Sequence, residues 1–174
     1  AFIDLETTGV NLSTDRIVEI AIVKILSDGS RQVKRKLINP EMPIPKQSSD
    51  IHGISDEMVK DAPTFKQSAN ELKQFIEQSD LGGYNSNRFD IPMLMEEFLR
   101  AGITVDLSTR KMIDVQHIFY TMEPRTLSAA YKFYCSKELV DAHSAEHDVN
   151  ATIDVLFSQI QRYPHLGDTV ESIL

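Results

Sequence analysis

Apolar and β-branched residues gather in two short runs at the start of the chain. Residues 1–5 (AFIDL) run into Thr7-Thr8-Gly9, and 17–26 (IVEIAIVKIL) are rich in β-branched side chains, so both predict strands. Ser27-Asp28-Gly29-Ser30 has hairpin chemistry and leads to a third strand over 31–38, whose Arg and Lys suit an edge or exposed face. Pro40, Pro43 and Pro45 then remove backbone donors and force a loop. Beyond it the period becomes helical. Phe65, Ala69, Leu72 and Ile76 predict an amphipathic helix over 64–78 capped by Thr64. A short strand over 81–84, a helix over 91–101 ended by Gly102, a strand over 112–114 and shorter helices to 134 follow. Ala145, Val149, Ile153, Leu156 and Ile160 mark a last helix over 145–161. Three consecutive strands, then strands alternating with helices, describe an α/β fold: a mixed β-sheet, its first three strands an antiparallel meander, flanked by helices.

The chain has 174 residues, which suits one domain over 1–174, and 41% are apolar, enough for a core without staples. The lone Cys135 can form neither an intramolecular disulfide nor a cysteine metal site, which points to a reducing, cytoplasmic setting. No apolar run approaches the ~18 residues of a membrane helix, so no membrane partner is expected. The chain opens at Ala1 without an initiator Met, which leaves room for residues upstream, and no targeting signal is evident. Twenty-six acidic against eighteen basic side chains give a net charge of -8, an argument against holding polyanions by bulk electrostatics.

The acids carry the candidate chemistry. In Phe2-Ile3-Asp4-Leu5-Glu6 the strand alternation puts Asp4 and Glu6 on one face, where two like charges repel unless one protonates or a cation lies between them. A divalent-metal site and a solvated strand end are equally good readings of that pair alone. Asp90 stands at the start of the helix running through Pro92, where an acid also suits the positive end of the helix dipole as a cap. Asp148 sits one turn into the last helix, beside the stripe of Ala145 and Val149, and is expected to face the sheet. His143 precedes it by five residues and can reach the same locality.

In order along the chain, Phe2-Ile3-Asp4-Leu5-Glu6-Thr7-Thr8-Gly9, the segment from Gly83-Tyr84-Asn85 to Asp90-Ile91-Pro92, and His143-Ser144-Ala145-Glu146-His147-Asp148 resemble the three motifs of the 3′-5′ exonucleases with the ribonuclease H-like fold. The match is to the Asp-Glu-Asp-Asp class with a catalytic histidine, which includes the epsilon proofreading subunit of DNA polymerase III and the three-prime repair exonucleases. Ile51-His52-Gly53-Ile54-Ser55 is similar to a further segment of that family, and the resemblance spans residues 2–157. It implies a two-metal nuclease acting on single-stranded or frayed 3′ ends of DNA, with RNA as the alternative substrate and a DNA polymerase subunit as candidate partner. It also implies that Asp4, Glu6, Asp90 and Asp148 hold two divalent cations, Mg or Mn, that His143 is the general base, and that Thr7, Val10 and Ile54 touch the terminal nucleotide. Two bound cations would bring the net charge to about -4, leaving few phosphate contacts, from Arg88, Arg110, Lys111 or Lys132.

Other features have plainer readings. Lys34-Arg35-Lys36 reads as a solvated strand face, Cys135 as a buried small hydrophobe, Met93 and Met95 as ordinary helix residues, and His117 and His165 as surface residues. His147 adjoins Asp148, but neighbours on a helix point about 100 degrees apart, so the motif spacing favours His143 as the base. The competing functional classes are a non-catalytic strand-binding or polymerase-binding subunit and a nucleotide phosphatase. The first has no use for five ionisable groups at one spot.

Overall fold

The computed structural model describes residues 1–139, 144–167, 169 and 172. By its internal contacts the chain forms two compact units, Ala1–Ile118 and Phe119–Leu174.

The first unit holds a five-stranded sheet: β1 (Phe2–Thr7), β2 (Ile17–Ile25), β3 (Arg31–Leu37), β4 (Leu81–Gly83) and β5 (Met112–Asp114). Their spatial order is β3-β2-β1-β4-β5, with β3-β2 and β2-β1 antiparallel and β1-β4 and β4-β5 parallel. This is the mixed sheet with an opening meander that the strand runs predict. Its middle strand is β1, the strand of the first acidic motif.

Between β3 and β4 lie α1 (Lys46–His52), α2 (Asp56–Val59) and α3 (Phe65–Ile76); α4 (Asp90–Arg100) links β4 to β5. The core forms where Ile3, Leu5, Ile20 and Ile22 of the sheet meet Phe65, Leu72 and Ile76 of α3 and Ile91, Leu94 and Phe98 of α4. Phe65 and Phe98 close it edge to face, ring centroids 5.2 Å apart. The expected Thr64 cap is present as a full capping box: its side chain accepts from Gln67 N, and the Gln67 side chain accepts from Thr64 N. Helices α1 and α2 are additions to the sequence reading. Each is at most two turns long and neither carries an apolar stripe for periodicity to reveal.

The second unit contains α6 (Leu127–Cys135), α7 (Ala145–Arg162) and a 3-10 turn, Pro164–Leu166; α5 (Val115–Met122) crosses the division. Here the expected apolar stripe is corrected. Val149, Ile153 and Leu156 are exposed, and the buried residues of α7 are Ala151 and Val155. Asp148, Ala151 and Val155 share the spacing of one helix face. Among the described residues no helix is long and apolar enough to cross a membrane.

Candidate active site

Strand alternation sets the first two acids. Ile3, Leu5 and Thr7 are buried on one face of β1, whereas Phe2, Asp4 and Glu6 point the other way, Asp4 exposed and Glu6 half-buried. In the antiparallel register Asp4 lies opposite Ala21 and Glu6 opposite Glu19. A β-bulge between Glu6 and Thr7 ends the regular pairing beside the acids.

Asp90 comes from the other side of the sheet. Gly83 ends β4 so close to β1 that a Cβ there would stand 2.7 Å from both Ile3 O and Ser86 Cβ, and only glycine allows the approach. The turn that follows is held by Asp114 at the end of β5. Its Oδ1 accepts from the amides of Asn85, Gln116 and His117 and its Oδ2 from that of Asn87. Burial pushes the Asp114 carboxyl up, but these amides bring it below the ordinary carboxylate range. Asn85 takes φ 60°, a left-handed conformation that asparagine tolerates. The turn delivers Asp90 at the first residue of α4, 5% exposed, where its Oδ1 accepts from Leu5 N of β1 at 3.1 Å. The carboxylate is therefore tied to the strand between Asp4 and Glu6. Asp90 is the first-turn acid of α4, as the dipole reading expects, but α4 has no side-chain cap, and the carboxylate accepts from Leu5 N of the sheet instead.

Burial, then the charge of Asp4, and less that of Glu6, raise Asp90 to about 6, opposed by its backbone hydrogen bonds. Glu6 is also pushed above the ordinary range, first by burial, which His52 partly opposes and the charges of Asp4 and Glu19 reinforce. Three carboxyl groups thus feel one another, and two resist ionisation. Carboxylate oxygens of this kind suit hard divalent cations. Among the described residues no group of three or more His, Cys, Asp or Glu side chains is assembled to hold an ion.

Asp148 belongs to the second unit. It is half-buried rather than turned fully inward, and its Oδ1 is buried without a hydrogen-bond partner among the described residues, an acceptor suited to a cation. His143 lies outside the described residues. His147 is exposed.

The three residues assigned to the terminal nucleotide differ in setting. Val10 is 83% exposed on the loop after β1. Thr7 is buried and its hydroxyl donates to Gly9 O at 2.6 Å. Ile54 is 5% exposed and packs with Val18, Ile44 and Val59. Its amide donates to His52 Nδ1, and His52 Nε2 is a buried atom unpartnered among the described residues. The sequence assigns His52 no role, although it lies in a segment already singled out. The basic run is not simply solvated: Lys34 and Lys36 both hold Glu71 of α3, taking its carboxyl down to about 2, and Arg35 holds Glu19. Of the candidate phosphate cations, Arg110 donates to Ile76 O and Lys132 pairs with Glu138. Cys135 is half-buried against Ser158, and the His165 ring lies 6.0 Å from that of Tyr163.

A family model described as exonuclease, RNase_T, matches residues 1–156. The chain belongs to this exonuclease family. Its relatives include DNA polymerase III PolC-type from Caldanaerobacter subterraneus, 27% identical over 165 residues, and from Mycoplasma genitalium, 26% identical over 169. Each alignment covers 94% of this chain and 12% of the relative, so the chain spans about an eighth of their length. Among solved structures, product-bound exonuclease I superposes with a TM-score of 0.63 at 18% identity, over 94% of this chain and 43% of that one. Escherichia coli exonuclease I in complex with a dT13 oligonucleotide gives 0.61 at 20% identity, over 95% and 41%. The exonuclease fold shared with these structures is the ribonuclease H-like α/β architecture that the motifs imply.

Proposed function

We propose that this chain is a metal-dependent 3′-5′ exonuclease that releases nucleoside 5′-monophosphates one at a time from single-stranded or frayed 3′ ends of DNA. The observation that carries this reading is a carboxyl trio gathered at the central strand: Asp4 and Glu6 share the outward face of β1, and Asp90, from α4, is bound to the amide between them and raised to about 6. A cluster that costs free energy to ionise is suited to bound cations.

Asp4, Glu6 and Asp90 would hold two divalent ions, Mg or Mn, together with Asp148, which joins them on its motif. Bound there, the ions would neutralise charge on the scissile phosphate and favour departure of the 3′ oxygen. His143 takes the proton from the attacking water, whose oxygen bonds to phosphorus as the bond to the 3′ oxygen breaks; the departing oxygen takes a proton from solvent. Val10, exposed beside this strand, meets the terminal nucleotide, with Thr7 and Ile54 shaping the surface behind it.

The matched residues 1–156 run through both compact units, which supports reading 1–174 as one exonuclease domain. The PolC-type relatives support a DNA polymerase as partner, and the dT13 complex of exonuclease I supports single-stranded DNA as ligand. The test is digestion of matched 5′-labelled DNA and RNA oligomers with Mg or Mn. A ladder shortening from the 3′ end of DNA, with 5′-monophosphates as product, is expected. Cleavage of RNA alone, internal cuts, or activity on mononucleotides only would overturn the proposal.

A further inference from the structure

Glu97 is an acidic side chain at 1% exposure, and the proposed chemistry makes no use of it. It lies on α4, two turns beyond Asp90. Its carboxylate meets two guanidinium groups: Arg16 Nε at 2.5 Å and Arg16 Nη2 at 3.2 Å, and Arg100 Nη1 at 2.7 Å. The arginines lead to the loop over 8–16 that follows the acidic strand. Arg100 Nη1 also donates to Asp15 O at 3.0 Å and Arg100 Nη2 to Leu12 O, while Arg16 ends the loop itself.

Inside the loop, Asp15 gathers the turn. Its Oδ1 accepts from Thr8 Oγ1 at 3.1 Å and its Oδ2 from Asn11 N at 2.8 Å, and Thr8 Oγ1 in turn accepts from Arg16 N at 3.0 Å. Gly9 is pressed against this carboxylate so closely that a Cβ would lie 2.5 Å from Asp15 Oδ2. Between Gly9 and Asn11 stands Val10, an apolar side chain 83% exposed. A loop clamped by α4 and closed from within thus holds one bare valine out on the segment that follows the acidic strand.

A buried ion cluster is weak evidence of stabilisation, because desolvating three charges offsets much of their attraction; what such clusters supply best is one fixed geometry. Helix α4 carries Asp90 at one end and this clamp at the other, so one rigid element sets both the acid and the loop relative to β1. We propose that Glu97, Arg16 and Arg100 are positioning residues of the exonuclease: they fix the 8–16 loop so that Val10 meets the terminal nucleotide in register with the carboxylates. This rests on the proposed function above.

The experiment uses Arg100→Lys, which keeps a cation for Glu97 but cannot also span two carbonyls. It is compared with Val10→Ala and with the double variant. On 5′-labelled single-stranded DNA, Arg100→Lys should raise KM ~5-fold or more with kcat within about twofold, as expected where a contact made equally by bound substrate and transition state is weakened. The double variant should be no worse than the weaker of the two single ones. A wild-type KM in Arg100→Lys, or multiplicative effects in the double variant, would overturn the proposal. Should Arg100→Lys not fold, Gly9→Ala displaces the same loop from within and should give the same KM signature; a wild-type KM there overturns it equally. Hydrogen exchange at the Asn11 and Asp15 amides separates this inference from the functional one. Exchange ~10-fold faster in Arg100→Lys or Gly9→Ala supports the clamp even if the wild-type chain proves inactive on DNA, whereas unchanged exchange overturns it.

Discussion

Asp90 is costly to the protein without metal. Its folded value of about 6 lies above the ordinary 3.8, so the folded chain binds its proton more tightly than the unfolded one. Below pH 3.8 both states are protonated and nothing is lost; as pH rises through about 6 the folded state must ionise a buried acid, and stability falls. In EDTA the Tm should therefore decline from pH 4 to about 6.5, and Asp90→Asn should flatten that decline and raise the Tm at pH 7. A decline of undiminished slope in Asp90→Asn would assign it to other groups. At the base, His143→Ala should cut kcat by ~10²-fold or more, while His147→Ala stays near wild type. If the two exchange behaviours, the reading of the third motif is wrong. The face shared by Asp4 and Glu6 was legible because strand alternation is local. The burial of Asp90 was not, because its partner, Leu5 N, lies 85 residues away. Glu97 was hidden for the same reason, its partner Arg16 being 81 residues distant.

At the scale of elements, local patterns succeeded where a stripe, cap or turn is strong: the three meander strands, α3 with its Thr64 cap, and α4 ended by Gly102. They failed for α1 and α2, which are too short for periodicity, and for α7, where the stripe of Val149, Ile153 and Leu156 stays exposed while Ala151 and Val155 are buried. The turn before Asp90 shows how an element aims a residue. Asp114 holds the amides of Asn85 and Asn87 there and those of Gln116 and His117 at the start of α5, and Asp114→Ala should lower stability by removing the acceptor they share. It should also reduce kcat through Asp90, with the loss checked by denaturant melts and turnover on one preparation. Wild-type turnover in a destabilised variant would mean that the turn serves the fold alone.

Over the whole molecule the charge balance limits how substrate is held. The sequence carries -8, Lys34, Lys36 and Lys132 are engaged by glutamates, and Arg110 is spent on a backbone carbonyl. The two remaining candidates, Arg88 and Lys111, correspond to a slope of about -1.4 in log kcat/KM against log salt on single-stranded DNA. A slope several times steeper would reveal a cationic track that these residues do not form. The central claim is that Asp4, Glu6 and Asp90 form a cation site on which cleavage depends. Its most direct test is to strip the protein with EDTA, follow digestion of a 5′-labelled single-stranded DNA oligomer, and add Mg or Mn back stepwise. Cleavage should vanish on stripping and return with added metal in the wild type but not in Asp4→Ala; undiminished cleavage by the stripped protein would contradict the account.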